Sequence, residues 1–263
     1  MYSVNGVELN NPTLGWIFRR GSTPVSSLQF TATDLELPGR DGVTTFPTTR
    51  RPAAFSITIR SKLDSRSALL DLMSGPVLAI TTTKKPGLVA KARTISSSVD
   101  QYHDVLGWAE DTFVIEVPSG SWRDVTETTS TKLVPVPTTA TQNIYPNISA
   151  PVQDAIVRFQ GPIQEPQLMD SSGSFVVFNA TIASGQYVRF ESASGRAWLT
   201  TTDTWSGGEE VSGYIDFNGP RGRFEITPSG PLAGARTGKI SLTQASYNTG
   251  AGVQVRGKAA YLY

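Results

Sequence analysis

The chain contains no cysteine and a single histidine, His103, among 263 residues. The first absence excludes disulfides and thiol chemistry. Together they exclude a tetrahedral zinc site within one chain, because such a site needs several Cys or His ligands. A Ser-His-Asp triad would have to use His103, and no Gly-x-Ser-x-Gly elbow is present to carry the nucleophile. His103 stands in Gln101-Tyr102-His103-Asp104, which reads as a polar loop between strands with a solvated imidazole. Gly219-Pro220-Arg221-Gly222 has neither the spacing nor the following helix of a phosphate-binding loop, so no cofactor is expected. No apolar run approaches the ~20 residues of a membrane span, so no membrane insertion is expected. Met1-Tyr2-Ser3-Val4-Asn5-Gly6 lacks a basic region followed by an apolar stretch, so no signal peptide is expected. Excess charge of either sign is also missing. Residues 1–130 carry 13 Lys+Arg and 13 Asp+Glu, residues 131–263 carry 10 and 9, and the net charge is +1. Neither half has the clustered positive field of a nucleic-acid binder.

What is present is β-forming sequence with real core material: 38% hydrophobic and 9% aromatic residues, which argues against disorder. The most informative stretch runs from Glu36 to Pro76. Pro38, Gly39 and Gly42 suit a turn, Pro by its fixed φ and Gly by tolerating positive φ. Phe55, Ile57 and Ile59 then alternate with Ser56, Thr58 and Arg60, giving a strand with one apolar and one wet face. Asp64 is placed to cap a short helix over Ser65–Met73, whose apolar face is Leu69, Leu70, Leu72 and Met73. Ser74-Gly75-Pro76 ends it. So short a helix survives by packing on a sheet.

Further strands are expected at Ser3–Leu9, Gly15–Arg19, Val25–Thr31, Val77–Thr82, Val89–Ser97 and Thr112–Val117. After Trp122 the texture changes. TETTSTKLVPVPTTAT, residues 126–141, is rich in Thr and Pro and favours extended backbone. It reads as a linker or crossover; an edge strand of one continuous domain is the alternative. From Ala155 onward short strands recur every eight to twelve residues between Gly, Ser, Asp and Pro turns, the spacing of a sandwich. The expected organisation is an N-terminal domain at 1–130, a linker at 131–150 and a C-terminal β-sandwich at 151–263.

Two groups of residues are candidates for contact. Trp205, Glu209 and Glu210, with Trp198, Asp203 and Asp216 nearby, combine flat rings with carboxylates, as a glycan-binding face does. The same residues fit a solvated loop, and a glycosidase using Glu209 or Glu210 needs only two carboxylates. Arg19-Arg20 and Arg50-Arg51 are paired basic residues beside apolar strands. Neighbours on a strand point to opposite faces, so one Arg of each pair would meet a neighbouring subunit and one would meet water. Charge protecting a strand edge is the equal alternative.

The order of these features resembles the distal tail (Dit) protein family of long-tailed bacteriophages. The resemblance lies in Asn5-Gly6, the Leu37-Pro38-Gly39-Arg40-Asp41-Gly42 turn, the Phe55–Arg60 strand, the Ser65–Met73 helix and Trp122-Arg123. It continues through Ala150-Pro151, the strand Ile156–Gly161 and the closing segment Tyr247–Tyr263. It implies a mainly β protein. The N-terminal domain would be sandwich- or split-barrel-like with one helix and an extended hairpin arm, the C-terminal one a galectin-like or carbohydrate-module-like sandwich. It implies a hexameric ring in the virion tail tip, assembled in the bacterial cytoplasm. Its partners would be the tail tube, tape measure, tail-tip and receptor-binding proteins. Val43–Pro52 is the candidate arm, with Gly39–Gly42 at its root, and Arg19, Arg20, Arg40, Arg50 and Arg51 are candidate inter-subunit contacts. The function expected is thus a non-enzymatic structural adaptor. A carbohydrate-binding module or adhesin is the alternative.

Overall fold

The computed structural model describes residues 1–21, 30–31, 34–36, 43–45, 49–50, 53–137, 139–231 and 235–262. The chain divides into two compact units, Met1–Val125 and Thr126–Tyr261, with the C-terminal Leu262 grouped with the first.

The first unit opens with a tight hairpin, β1 (Tyr2–Val4) and β2 (Val7–Glu8). Asn5 and Gly6, both at positive φ, make its two-residue turn, where Asn-Gly is the favoured pair. One continuous strand over Ser3–Leu9 was therefore the wrong reading. β3 (Trp16–Gly21) follows, then four short strands: β4 (Phe30–Thr31), β5 (Asp34–Glu36), β6 (Val43–Thr45) and β7 (Thr49–Arg50). Next come β8 (Ala53–Lys62), helix α1 (Arg66–Met73) and β9 (Leu78–Thr82), then β10 (Leu88–His103), β11 (Trp108–Val117) and β12 (Trp122–Asp124). The main sheet runs in the order β2-β1-β9-β10-β11-β8-β3, with β12 on β10. β10 pairs with β9 and β12 through its first residues and with β11 from Arg93 onward, with two register shifts along the way. That change of partner along one long strand curls the sheet. The buried face holds Phe55, Ile57, Ile59, Phe113, Ile115 and Val117, as the alternation predicts.

α1 packs on this sheet through Leu69 and Met73, four residues apart on one face. Its cap departs from expectation. Ser65, not Asp64, is the N-cap residue, and its hydroxyl donates backward to the Lys62 carbonyl instead of accepting from the helix. Arg66 supplies the anchor, donating two hydrogen bonds to buried Asp111 on β11.

The arm is larger than the sequence suggested. β3 pairs antiparallel with β8, β4 with β7, and β5 with β6, ending at Glu36↔Val43. The two sides of one long hairpin thus run from Trp16 to Lys62. Gly39–Gly42 lie outside the described residues, as do Arg40 and Arg51. Within Val43–Pro52, β6 and β7 form the returning side.

The second unit holds β13 (Thr128–Thr129), β14 (Ala140–Pro146), β15 (Ile156–Gln160), β16 (Ile163–Gln164), β17 (Gln167–Asp170) and β18 (Phe175–Phe178). β19 (Thr181–Ile182), β20 (Tyr187–Glu191), β21 (Arg196–Thr200), β22 (Glu209–Glu210) and β23 (Ile215–Asn218) continue it. β24 (Pro228–Ser229), β25 (Thr237–Thr243), β26 (Ser246–Tyr247), β27 (Gly252–Gly257) and β28 (Ala260–Tyr261) complete it. Two six-stranded sheets form, β13-β27-β15-β20-β21-β22 and β14-β25-β17-β18-β23 with β24 on β25; a small sheet β19-β16-β26 adds to them. Val157, Phe159, Val188, Phe190, Val253 and Val255 are the buried face of the first, Leu168, Val176, Phe178, Ile240 and Leu242 that of the second. Phe190 and Phe217, one from each sheet, meet at 5.1 Å between ring centroids, so the two sheets share a core as a sandwich does.

Residues 131–150 are part of this unit and not a linker. Leu133 bridges to Val253, and β14 pairs with β25 over its whole length. The Thr- and Pro-rich composition correctly signals extended backbone. Burial of Ala140, Ile144, Tyr145, Ile148 and Ala150 is what fixes that backbone to a sheet.

Candidate functional site

Two polar surfaces stand out, one on each unit. On the first unit, the face of β8, β10 and β11 opposite the core carries a ladder of charged pairs. Arg60 donates to Glu110 at 2.8 Å and stacks 3.9 Å above the Trp108 ring. Arg19 approaches the same carboxylate at 3.2 Å, and Arg20 approaches Asp100 at 3.8 Å. Thr112 donates to Asp100 and shares a hydrogen bond with Thr58, both at 2.6 Å.

The expected opposition of Arg19 and Arg20 therefore fails. The β3–β8 register shifts between Phe18 and Arg20. A bulge of this kind adds one residue and resets the side-chain alternation, so both arginines reach acids on the same face. They remain open to solvent, 47% and 81% exposed, so both are available for further contact. Arg50 sits in β7 opposite Phe30. His103 ends β10 instead of lying in a loop; it pairs with Trp108 across the strands and packs on that ring at 4.1 Å. Beyond it Val105 and Leu106 protrude, 98% and 67% exposed.

On the second unit, the outer face of the β13–β22 sheet is built by strand alternation. Cross-strand pairing sets Gln254, Arg158, Arg189, Trp198 and Glu210 in one row over five strands. Arg158 and Arg189 are directly opposed yet 5% and 6% exposed. Like charges so placed repel, so each must be compensated. Arg158 meets Asp203 at 2.5 Å and donates to Gln254 at 2.6 Å. Its guanidinium lies 4.3 Å from the Trp205 ring and 5.2 Å from that of Tyr187. Arg256 approaches Trp205 from 5.7 Å and pairs with Glu127. Arg189 lies 4.6 Å over Trp198 and 3.5 Å from Glu191. The Arg189–Glu191 contact is an ion pair only: Arg189 Nε is shielded from solvent and makes no hydrogen bond.

This geometry rearranges the expected aromatic–acid group. Trp198 and Trp205 do come together on one face, and Glu210 joins Trp198 as its cross-strand neighbour. Glu210 is held by Arg196 at 3.9 Å and accepts from Ser212 at 3.0 Å. Glu209 pairs with Leu199, one residue away, and so points to the other side of the sheet. Adjacent strand residues cannot supply two carboxylates flanking one bond, so Glu209 and Glu210 do not form a glycosidase pair. Asp216 stands apart from this group, on β23 of the other sheet, where it accepts from Asn179 at the end of neighbouring β18. The arginines were missed because each stands alone in its strand. The available signal was a charged residue at the centre of an apolar run, as in Ile156-Val157-Arg158-Phe159.

No protein-family model matches the chain, and no curated protein matches it by sequence. Among solved structures it is similar to the Dit protein of phage SPP1, described as a paradigm of the hub adsorption apparatus in phages infecting Gram-positive bacteria. That match has 14% identity and a TM-score of 0.62 and covers 99% of this chain and 98% of that one. The baseplate of phage P2 in its activated conformation matches at 11% identity and a TM-score of 0.40, covering 93% and 91%, too distant to carry an argument. The fold is thus Dit-like and mainly β over nearly the whole chain.

Proposed function

We propose that this protein is a non-enzymatic structural component of a phage tail tip, a ring-forming adaptor that joins the tail tube to the tip proteins. The observation that carries this reading is the outer part of the long hairpin. Among the described residues β4, β5, β6 and β7 pair only with one another. A two-stranded ribbon is marginal alone in water and leaves both edges open. Strand addition to the next copy supplies the missing hydrogen bonds and closes a ring. The full-length fold match to a phage hub protein supports the same assignment. The tail tube, tape measure, tail-tip and receptor-binding proteins are the partners this role implies, at the tip of the virion tail after assembly in the host cytoplasm.

Size-exclusion chromatography with light scattering tests the proposal. A discrete oligomer is expected, hexameric by the family resemblance, and replacing residues 30–50 by a short turn is expected to give monomer with the second unit still folded. A protein that is monomeric at all accessible concentrations overturns it. A second reading, a carbohydrate-binding module or adhesin, is favoured by Trp198 and Trp205 on one sheet face among arginines and carboxylates.

A further inference from the structure

We infer that the outer face of the β13–β22 sheet binds an oxyanion on a hydroxylated polymer, a carboxylate or phosphate carried by a saccharide or polyol chain. Asp203 holds that place in the free protein. The inference rests on the second reading above and names its ligand class.

Three observations converge. The first is Arg189. Its side chain is nine-tenths buried and its guanidinium is stacked on Trp198, yet its Nε donates no hydrogen bond. Arginine offers five donors in a planar fork. A fork held by a ring below it and a carboxylate beside it, with its Nε unfilled, is a buried cation short of acceptors and suits a planar oxyanion.

The second is Asp203. Its carboxylate is 67% exposed but its partner Arg158 is almost fully buried, at 2.5 Å. Thr201–Thr204 and Ser206–Gly208 are exposed throughout, and only Trp205 of this loop is partly covered. The loop touches the sheet face through the Asp203 carboxylate, the Trp205 ring and the Thr204 carbonyl, which accepts from Arg158 at 3.5 Å. Gly207 and Gly208 follow at φ +70 and +110, a backbone state open to glycine without strain. Asp203 is the solvent-open member of the pair, so a ligand oxyanion can take its place on Arg158 and keep that buried cation compensated. The exchange conserves the chemistry, one carboxylate or phosphate replacing another.

The third is the occupancy of the rings. Trp205 carries Arg158 and Arg256, and Trp198 carries Arg189. A neutral sugar that binds by stacking alone would compete with these cations for the ring faces. An oxyanion uses the cations where they stand. The hydroxyls of its chain meet Glu191, Glu210 and Gln254, which supply acceptors beside the arginines.

The test uses the full chain and three probes: oligogalacturonate for carboxylate, a glycerol phosphate oligomer for phosphate, and neutral galactan. Binding is read by tryptophan fluorescence and calorimetry at low and high salt. At least one anionic probe is expected to bind, more weakly as salt rises, with galactan at least tenfold weaker; which anion binds identifies the source. Asp203→Asn removes the internal competitor and is expected to tighten binding about two- to fivefold. Arg189→Met is expected to weaken it at least tenfold. If Arg189→Met unfolds, Trp198→Leu, which takes away the platform beneath the fork, is expected to give the same loss. Equal binding of galactan overturns the anionic assignment while leaving a saccharide site. Loss of binding in Asp203→Asn, or no response to either anion from wild type and Asp203→Asn, overturns the site. None of these outcomes bears on ring formation.

Discussion

Arg66, the first residue of α1, donates two hydrogen bonds to Asp111 on β11, from Nε at 2.9 Å and from an Nη at 2.8 Å. Asp111 is 2% exposed and stands on the core-facing side of β11, beside Phe113 and Ile115. The hydrogen bond to Asp111 raises the Arg66 pKa above its usual value, more than burial lowers it. The fork thus joins helix and sheet in place of the missing N-terminal cap. Arg66→Ala leaves a buried carboxylate uncompensated and is expected to destabilise the first unit by roughly 3 kcal/mol. Arg66→Met with Asp111→Leu is expected to recover most of that loss. Urea denaturation followed by tryptophan fluorescence checks both.

Asp170 works the same way in the second unit. Its Oδ1 accepts from Ser172 N, Ser172 Oγ and Ser174 N, and its Oδ2 accepts from Thr227 N and Thr227 Oγ1. It ties the β17–β18 turn to the segment entering β24. Asp170→Ala strands the buried Ser174 N–H and the half-buried Thr227 donors and is expected to cost about 3 kcal/mol. Asp170→Asn, which keeps part of the acceptor capacity, is expected to cost less in thermal denaturation.

Glu225 is 2% exposed. Burial raises its pKa, and nearby Asp170 adds to the rise, while Arg221 at 3.2 Å opposes it. A carboxyl with a raised folded pKa holds its proton longer in the folded than in the unfolded state. Stability therefore falls as pH rises from about 4.5, the ordinary carboxyl value, to the folded pKa, and is level above it. Glu225→Gln is expected to flatten that part of the stability profile and to be neutral or stabilising at pH 7. Chemical denaturation across pH 4–8 measures it; an unchanged slope contradicts the assignment.

Arg20 is 81% exposed and sits 3.8 Å from Asp100, a pair too open to stabilise the fold much. Arg20→Glu is expected to change monomer stability by no more than about 0.5 kcal/mol. If Arg20 meets the next subunit, the same change weakens the oligomer at matched concentration. Light scattering beside a melting curve separates the two effects, and an oligomer as stable as wild type removes Arg20 from the interface.

Much of this was legible in the linear chain. Alternation placed Phe55, Ile57 and Ile59 on a core face; of the expected helix face Leu69, Leu70, Leu72 and Met73, the structure buries Leu69 and Met73 and leaves Leu70 and Leu72 half-buried. Asn5-Gly6 marks its own turn and splits the strand expected over Ser3–Leu9 in two. The absence of cysteine and the lone histidine bounded the chemistry before any fold was known. Those readings depend on backbone geometry and local spacing, which sequence carries directly. Tertiary structure decided what depends on pairing between distant strands. The β3 bulge turned Arg19 and Arg20 to one side. The β14–β25 ladder made a sheet strand of a stretch that composition alone gives as linker. Arg158, from β15, became the neighbour of Arg189 and Trp205 only because two strands and a loop distant in the chain share one sheet face. Register is set by which apolar faces bury together across the whole chain, and no local window contains that information.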